Sequence, residues 1–285
     1  MDASAPIGVF DSGIGGWTVL REIRRELPAE ALLYVADAAG APYGDRAPEF
    51  IVARALAIAE WLQAAGAKAL VVACNTATSA AVAQLRRQYP LPIVAIEPAV
   101  KPAALLTRSG IIGVLATSHT VAGGNFSRLR DALGGNVTIL AQACPGLVEQ
   151  VEAGVLDGPV TRGLLSRYVA PLLAQGADTL VLACTHYPWL APLLRELVGP
   201  EVTVVDPAPA VARELRRRLT LAELLAPAGV SLPTRALTTG DPQRLREQLD
   251  RLGEVTTSVS GIELPLRSAP HALSPTGVQP RISTP

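Results

Sequence analysis

Two similar segments of the chain each run into a cysteine that is followed by polar residues. Residues 66–76 read Gly-Ala-Lys-Ala-Leu-Val-Val-Ala-Cys-Asn-Thr, and residues 176–186 read Gly-Ala-Asp-Thr-Leu-Val-Leu-Ala-Cys-Thr-His. The apolar runs predict buried strands, so Cys74 and Cys184 are expected at carboxyl ends of strands, where α/β proteins bind ligands. Two thiols facing one ligand carbon from opposite sides would suit cofactor-independent racemisation, which removes a proton from one face and adds one to the other.

The two cysteines also have a simpler interpretation as small buried apolar residues, which is the common fate of a free cysteine. Their equivalent positions, each followed by a polar pair, Asn75-Thr76 or Thr185-His186, favour a functional interpretation instead. Inversion at an α-carbon also requires fixed donors that stabilise a carbanion-like transition state. The thiolate must form near neutral pH, although a free cysteine has a pKa of about 8.5.

A glycine-rich turn that begins with a carboxylate follows the first strand. Residues 11–16 read Asp-Ser-Gly-Ile-Gly-Gly, which is typical of a tight turn with Asp11 or Ser12 capping a helix. The turn is not a dinucleotide fingerprint, because Thr18 stands where the last glycine belongs. Beside the Cys74 strand, Asp11 could receive or orient a proton, or pair with an ammonium group.

Other polar positions also lie near predicted strand ends. His186 directly follows Cys184 and Thr185, and we assign it to the site because an imidazole can shuttle or poise a thiol proton. Residues 37–44, Asp-Ala-Ala-Gly-Ala-Pro-Tyr-Gly, follow the second strand, and both a ligand contact and an ordinary turn stay open there. Cys144 lacks a polar pair after it and is interpreted as structural.

Apolar runs alternate with segments of helical spacing along most of the chain. The runs that predict buried strands are residues 7–10, 32–35, 69–73, 93–96, 111–115, 137–140, 180–183 and 202–205. Between most of them apolar residues recur every three to four positions, as at Leu20, Ile23 and Leu27. This alternation predicts an α/β fold in which mostly parallel sheets are flanked by helices.

The duplication extends beyond the cysteine segments and predicts the domain organisation. Residues 7–13 resemble residues 112–118, an offset of 105 residues against the 110 that separate the two cysteines. We therefore predict two pseudo-symmetric α/β halves. Residues 207–252 have helical character and are expected to fold back on the first half. The predicted organisation is a first domain of 1–97 plus 207–264, a second domain of 98–206, and a disordered or extended tail of 265–285, which holds five prolines.

The composition narrows the classes of function. The 25 basic and 25 acidic residues balance, which argues against direct nucleic-acid binding and a membrane-surface role. No apolar run approaches the roughly 18 residues of a membrane span, and the first residues lack a secretion signal, so we predict a cytoplasmic location. Three cysteines without a Cys-x-x-Cys pair predict neither a disulfide framework nor structural zinc. The only lysines, Lys68 and Lys101, lie outside the motifs, which disfavours a pyridoxal phosphate enzyme.

Taken together, the motifs resemble the glutamate racemase family, within the cofactor-independent aspartate/glutamate racemase superfamily. The matching stretches run in the family's order from about residue 7 to residue 253. They are 8–16 (Gly-Val-Phe-Asp-Ser-Gly-Ile-Gly-Gly), 34–44 (Tyr-x-x-Asp-x-Ala-x-x-Pro-Tyr-Gly), 73–76 (Ala-Cys-Asn-Thr), 183–188 (Ala-Cys-Thr-His-Tyr-Pro) and 239–241 (Thr-Gly-Asp).

The resemblance implies roles for particular residues. The family interconverts L- and D-glutamate without a cofactor or a metal. By resemblance, Cys74 handles the proton of the D-enantiomer with help from Asp11. Cys184 handles the proton of the L-enantiomer with help from His186 and Glu152. From the residues alone Glu152 would be a surface charge, and only the resemblance makes it a candidate.

The resemblance also implies a substrate site, a biological role and partners. The substrate would lie in the cleft between the two domains and contact Asp11, Ser12, Pro42, Tyr43, Gly44, Cys74, Asn75, Thr76, Thr117, Thr120, Cys184, Thr185 and His186. The product, D-glutamate, would serve peptidoglycan synthesis and thus cell-wall biogenesis and cell shape. Family members are commonly homodimers, and some bind DNA gyrase.

Several alternatives stay open on the sequence. The nearest is another two-thiol racemase that acts on aspartate or a hydantoin, although the Asp-Ser-Gly and Pro-Tyr-Gly motifs favour glutamate. A single-cysteine decarboxylase relative is weaker, because both thiols are present. A non-catalytic protein that binds gyrase is a different class, and replacement of Cys74 and Cys184 by serine would separate it from an enzyme.

Overall fold

The computed structural model describes residues 2–122, 137–227, 233–254 and 258–264, which form two parallel β-sheets flanked by helices. The strands, numbered in chain order, are β1 (Ile7–Asp11), β2 (Leu32–Ala36), β3 (Ala69–Val72), β4 (Ile93–Ala95), β5 (Ile111–Ala116), β6 (Thr138–Ala143), β7 (Thr179–Ala183), β8 (Thr203–Val205), β9 (Thr234–Thr238) and β10 (Ser258–Gly261). All pairings between these strands are parallel, so their carboxyl ends meet along one edge of each sheet.

The two sheets share a common strand order. The first sheet runs β10-β9-β2-β1-β3-β4, and the second runs β6-β5-β7-β8. Four strands of the first sheet therefore match the whole described second sheet, with β3 and β7 in the same position beside β1 and β5. Each cysteine of the duplicated segments follows one of these matching strands, so the two thiols occupy equivalent places in the two sheets.

Equivalent glycines in β1 and β5 strengthen this correspondence. Gly8 pairs with Leu70, and Gly113 pairs with Leu180. A Cβ atom at Gly8 would lie 2.9 Å from Leu62 Cδ1, and one at Gly113 would lie 2.8 Å from Leu172 Cδ1. In both sheets a glycine thus lets a helix leucine pack against the strand backbone, which brings helix and sheet close together.

Helices cover the faces of both sheets. They are α1 (Trp17–Glu26), α2 (Pro48–Ala64), α3 (Asn75–Gln88), α4 (Val100–Leu106), α5 (Ser118–Ala122), α6 (Leu147–Glu152), α7 (Pro159–Ala174), α8 (Ala191–Val198), α9 (Ala208–Leu221) and α10 (Pro242–Arg251), with short 3₁₀ turns at Tyr43–Asp45 and Tyr187–Leu190. Proline stands in the first turn of α2, α7 and α10, where its missing N–H costs no helical hydrogen bond.

The apolar core continues from one sheet to the other. Val9 on one face of β1 belongs to a buried cluster that also contains Leu20 of α1, Leu215 of α9 and Leu182 of β7. Phe10, on the opposite face of β1, packs in a separate buried cluster with α2 and α3. The alternation of side chains along β1 therefore supplies both layers, as expected for a strand buried on two faces.

The expected α/β fold with parallel, helix-flanked sheets is confirmed, and one part of the expectation is wrong. Residues 207–252 were expected to be helical, but Thr234–Thr238 between α9 and α10 forms β9, and β10 follows α10. β9 pairs with β2, so the return of the chain extends the first sheet rather than only packing on it. The short run Arg-Ala-Leu-Thr is too weakly apolar to separate a buried strand from a helical segment.

Further expectations concern the carboxyl-terminal tail, a membrane span and the division into domains. The tail that was expected to be disordered, 265–285, lies outside the described residues. Within the described ranges, no helix combines the length and apolar character that crossing a membrane requires. The division into domains 1–97 plus 207–264 and 98–206 stays a prediction.

Candidate active site

Cys74 lies two residues after the end of β3 and caps the amino end of α3. Its Sγ atom accepts a hydrogen bond from the backbone N–H of Ala77 at 3.4 Å and lies 3.8 Å from Ser12 Oγ. The side chain is buried. Burial, together with the nearby Asp11 carboxylate, raises the pKa of Cys74 to about 12, so this cysteine is a thiol at neutral pH.

Cys184 lies directly after β7 and has an imidazole as its neighbour. Cys184 Sγ lies 3.8 Å from His186 Nδ1, and His186 Nε2 lies 2.7 Å from Glu152 Oε1. Burial by itself would lower the pKa of His186, but the hydrogen bonds to Cys184 and Glu152 outweigh burial and raise that pKa well above its usual value. An imidazolium is therefore favoured between the sulfur and the carboxylate.

Three donors hold the Glu152 carboxylate at the end of α6. Besides His186, the backbone N–H of Ile14 donates to Oε1 at 3.0 Å, and Gln248 Nε2 donates to Oε2 at 2.8 Å. Burial opposes ionisation, but these hydrogen bonds outweigh it and lower the pKa of Glu152. The carboxylate stays ionised and supplies the counter-charge that keeps His186 protonated.

Asp11 is the carboxylate on the side of Cys74, and it is fully buried at the end of β1. Thr185 Oγ1 donates to Asp11 Oδ2 at 3.0 Å, and Thr18 Oγ1 donates to the carbonyl oxygen of Thr185 at 3.2 Å. Burial raises the pKa of Asp11 to about 6, although the charge of His186 and the Thr185 hydrogen bond oppose the rise. A carboxyl group with such a pKa can both take up and release a proton near neutral pH.

Two glycines of the turn after β1 allow it to lie directly against the second sheet's polar residues. A Cβ atom at Gly13 would overlap Glu152 Oε1, and one at Gly15 would overlap the ring of His186 and lie 2.7 Å from Thr185 Oγ1. The glycines therefore serve the close approach of the turn to the His186–Glu152 pair. This requirement is independent of the cap and turn geometry that the sequence suggested.

The Pro42-Tyr43-Gly44 segment is anchored by a buried polar network. The hydroxyl of Tyr43 donates to Asp37, whose carboxylate also accepts hydrogen bonds from Arg54 and from Thr239 Oγ1, the latter at 2.7 Å. Burial and the neighbouring Asp37 charge raise the pKa of Tyr43 well above its usual value. Tyr43 is thus a fixed neutral donor, and the ring is held in one place at the edge of the site.

Hydroxyl and amide groups complete the site between the two sheets. Thr76 Oγ1 and Thr117 Oγ1 lie 3.1 Å apart, and Thr117 Oγ1 donates to Thr120 Oγ1 at 3.0 Å. Thr76 follows β3 and Thr117 follows β5, so this contact links the two halves. The amide nitrogen and oxygen of Asn75 are buried and have no hydrogen-bond partner among the described residues, which is costly unless a ligand pairs with them.

One cavity of about 60 Å³ brings most of the expected site residues together. Both thiols contribute to its wall. The expected residues that line it are Ser12, Pro42, Tyr43, Gly44, Cys74, Asn75, Thr76, Thr117, Cys184, Thr185 and His186. Asp11 and Thr120 lie behind this wall and touch it through Thr185 and Thr117. Glu152 lines an adjoining cavity of about 390 Å³ that shares Ser12, Pro42 and His186 with the first.

Some residues of the site were missed or assigned differently from the sequence. Cys144, interpreted as structural, is buried as expected but also lines the cavity that holds the two other thiols. Gln248 and Arg54 could not be predicted as site residues, because an amide or a guanidinium on a helix carries no sequence signal that distinguishes it from a surface residue. Asp37 was visible only as part of the 37–44 motif. Among the described residues, no group of three or more His, Cys, Asp and Glu side chains could hold a metal ion.

Comparison with known proteins gives consistent matches. The Asp/Glu/Hydantoin racemase family model matches residues 7–215. A glutamate racemase of Ectopseudomonas mendocina is 55% identical over 251 residues, 88% of this chain and 95% of that relative. Glutamate racemase from Bacillus anthracis superposes with a TM-score of 0.85 at 33% identity and covers 92% of this chain and 99% of that one. Escherichia coli glutamate racemase, in complex with L-glutamate and the activator UDP-MurNAc-ala, gives a TM-score of 0.80 at 32% identity, with 91% and 99% covered.

Proposed function

The chain belongs to the Asp/Glu/hydantoin racemase family, as an enzyme of its glutamate racemase group, and we propose that it interconverts L- and D-glutamate by proton transfer between the α-carbon and two thiols. The observation that carries this proposal is one cavity, among the described residues, that both Cys74 and Cys184 line. The two thiols follow equivalent strands of the two sheets, so they approach that cavity from the two halves of the molecule. The proposed reaction uses no cofactor.

The environments of the thiols support a starting protonation state. The raised pKa of Cys74 keeps it a thiol, and we assign the negative charge to the Cys184 sulfur because the His186 imidazolium lies 3.8 Å from it. From this state Cys184 removes the α-proton of L-glutamate, and Cys74 donates its proton to the opposite face of the resulting carbanion. D-Glutamate is then released, and the two sulfurs have exchanged their protonation states. The reverse reaction begins from that exchanged state.

We assign Asp11 and the His186–Glu152 pair to the two proton-transfer sides. An enzyme in the resting state can act on D-glutamate only after Cys74 has lost its proton, and the buried Asp11 carboxylate, with a pKa of about 6, is the group on that side that can take or orient this proton. Protonation of Asp11 also removes the negative charge that disfavours a thiolate at Cys74. On the other side, Glu152 holds His186 in the cationic form that stabilises a thiolate at Cys184.

Polar groups in the cavity suit an amino-acid substrate with two carboxylates. The Asn75 amide, which has no partner among the described residues, the hydroxyl of Thr76 and the backbone N–H groups of Tyr43-Gly44 are donors that a carboxylate can accept from. The hydroxyls of Thr117 and Thr185 already donate to Thr120 and Asp11, so they can accept from the substrate ammonium. Fixed donors around the α-carboxylate stabilise negative charge as it spreads from the α-carbon, which lowers the barrier for a weakly acidic C–H.

The biological setting follows from the family. We propose that the D-glutamate serves peptidoglycan synthesis, and that the reaction takes place in the cytoplasm, where the precursors of that polymer are assembled. Homodimer formation and an interaction with DNA gyrase stay predictions of the family resemblance.

Proton NMR in heavy water tests the proposed reaction. The purified protein, without added cofactor, is given L-glutamate, D-glutamate and L-aspartate separately, and loss of the Cα–H signal is followed together with optical rotation. We expect exchange and racemisation of both glutamate enantiomers and none of aspartate. Racemisation of aspartate instead would assign the other branch of the family, and no exchange with any of the three would reject the proposed activity.

A further inference from the structure

Glu152 is fixed by a side chain that comes from the other sheet's part of the chain. Glu152 ends α6, which follows β6 of the second sheet, whereas Gln248 belongs to α10, which lies between β9 and β10 of the first sheet. Gln248 Nε2 donates to Glu152 Oε2 at 2.8 Å and to the backbone carbonyl oxygen of Glu152, also at 2.8 Å. One amide group therefore restrains both the side chain and the main chain of the same residue.

The two hydrogen bonds meet two separate needs of Glu152. Carbonyl groups in the last turn of a helix have no partner within the helix, and Gln248 satisfies the one at the end of α6. A carboxylate with two oxygens can rotate, and the bond to Oε2 holds the plane in which Oε1 meets His186 Nε2. The donor is neutral, so it orients the carboxylate without neutralising the charge that His186 needs.

We propose that Gln248 is a positioning residue for racemisation, which acts through Glu152 and His186 on proton transfer at Cys184. The proposal rests on the proposed two-thiol reaction. Helix α10, which lies between two strands of the first sheet, thus sets the orientation of the Glu152–His186 pair, which belongs to the part of the chain around the second sheet. The geometry of the Cys184 side then depends on how α10 packs, while the Cys74 side, which relies on Asp11 and Ser12, does not contact Gln248 through these bonds.

Gln248→Met tests the proposal because it keeps the length of the side chain and removes both donors. Loss of a hydrogen bond to a charged group that acts indirectly is expected to lower kcat/KM about tenfold. Gln243→Met is the matched control: Gln243 lies on the same helix, and in the described part of the chain its amide donates to the exposed Glu247 alone, at 3.1 Å. The control is expected to stay within about twofold of the wild-type kcat/KM.

Isotope effects separate positioning from a general structural defect. Because the equilibrium constant between enantiomers is unity, kcat/KM must fall equally in both directions. Substitution of deuterium at Cα distinguishes the two proton transfers, since the deuteron of L-glutamate goes to Cys184 and that of D-glutamate to Cys74. If Gln248→Met slows transfer at Cys184, the isotope effect with L-glutamate rises and that with D-glutamate falls. If the isotope effects of Gln248→Met with L-glutamate and with D-glutamate are both the same as in wild type, the proposal is overturned even if the rate falls.

Gln248→Glu gives a second test that does not depend on the first variant. A carboxylate at this position repels Glu152 when both are ionised, but it can donate a hydrogen bond once it is protonated. When the activity of each variant is expressed as a fraction of the wild-type activity, Gln248→Glu should therefore be less active than Gln248→Met at alkaline pH and more active at acidic pH. The same order of activities at both pH values would contradict a positioning role. A wild-type protein without racemase activity would instead reject the proposed function itself.

Discussion

The two thiols occupy equivalent places in two matching sheets but have different neighbours. Cys74 faces a backbone N–H, a serine hydroxyl and the field of a buried carboxylate, and its pKa is raised to about 12. Cys184 faces an imidazole whose pKa is raised by that contact and by Glu152. The first environment favours a thiol, and the second places a cation beside the sulfur, where it can stabilise negative charge.

This difference separates what the strand order determines from what the surrounding loops and helices determine. The common strand order places a cysteine at the end of β3 and of β7, which gives the two sites their symmetry. The loops and helices that surround them differ, and those neighbours decide which sulfur carries the proton. A reaction that returns to an equivalent state after inversion needs the symmetry, and a defined resting state needs the asymmetry.

Replacement of either thiol has the largest expected effect and tests the symmetric part of the comparison. Cys74→Ser and Cys184→Ser should each lower racemisation by at least about 10³-fold, because a positioned proton-transfer group is lost and a serine hydroxyl is far less acidic. In heavy water, Cys74→Ser should still exchange the α-proton of L-glutamate slowly, and Cys184→Ser only that of D-glutamate. Proton NMR of each variant with each enantiomer measures this.

The opposite pattern of exchange would show that the proposed assignment is reversed, with Cys74 acting on L-glutamate and Cys184 on D-glutamate. Exchange of both enantiomers by either single variant would show that one thiol reaches both faces. In that case the matching strand ends would not define two separate proton-transfer positions.

Asp11→Asn tests the carboxylate of the Cys74 side and should lower kcat/KM about 100-fold. It should also stabilise the fold. Because the pKa of Asp11 in the folded protein is about 6 against 3.8 for the free side chain, ionisation opposes folding above about pH 6. That penalty is relieved as the pH falls from about 6 towards 3.8. At neutral pH we therefore expect the free energy of unfolding of Asp11→Asn to exceed that of wild type by about 1 to 2 kcal/mol.

Denaturant unfolding at neutral and at acidic pH checks the stability of Asp11→Asn. The gain should shrink as the pH falls towards 4, where wild-type Asp11 is protonated as well. A variant that is inactive and also less stable than wild type at neutral pH would mean that the Thr185 contact outweighs the cost of burying the charge.

The sequence predicted the two cysteines better than it predicted the residues around them. The duplicated segments predicted both thiols, their strands and the adjacent His186, and the family prediction from five motifs is confirmed by the match over residues 7–215. Glu152 could not be assigned from the residues, because nothing local to α6 shows that His186, 34 positions later, folds onto it. Gln248 was missed for the same reason, since its partner is 96 residues away.

The fold shows the same limit. Strands whose apolar runs are long were predicted within one or two residues, as for Ile7–Asp11 and Thr179–Ala183. β9 was not predicted, because its place in the sheet depends on pairing with β2, about 200 positions earlier in the chain. Local periodicity identifies buried strands and helices, whereas contacts between distant segments decide which polar side chains meet.

Glu152→Gln tests the counter-charge of the Cys184 side and should lower kcat/KM about tenfold. The glutamine keeps the shape but removes the negative charge that helps to raise the pKa of His186. That pKa should fall, so His186 should lose its proton at a lower pH, and the alkaline limb of the kcat/KM profile should move to lower pH. A pH–rate profile of both enantiomers measures the shift.

Glu149→Gln is the matched control for this profile, because it removes a carboxylate from the same helix. Glu149 also lines the cavity, so its replacement can change kcat/KM itself, but among the described residues no hydrogen bond joins it to His186. Its alkaline limb should stay at the wild-type pH. If both variants move the limb equally, the field of α6 as a whole, rather than the bond between Glu152 and His186, sets the protonation of the imidazole.

Cys144 gives the smallest expected effect and asks whether a buried thiol at a strand end is sufficient for catalysis. It follows β6, lines the same cavity as the other two cysteines, and burial raises its pKa to about 12. Its Sγ donates to the carbonyl oxygen of Gln142 at 3.3 Å, and no charged side chain is bonded to it in the described part of the chain. We expect Cys144→Ala to keep kcat/KM within about threefold of wild type and to cost about 1 kcal/mol of stability.

Steady-state kinetics together with thermal unfolding measure both effects of Cys144→Ala. A loss of activity comparable to that of Cys74→Ser would place a third sulfur in the proton path and would end the description of the site as a pair. A loss of stability alone would show that burial at a strand end makes a cysteine structural, and that a nearby carboxylate or imidazole is what makes Cys74 and Cys184 reactive.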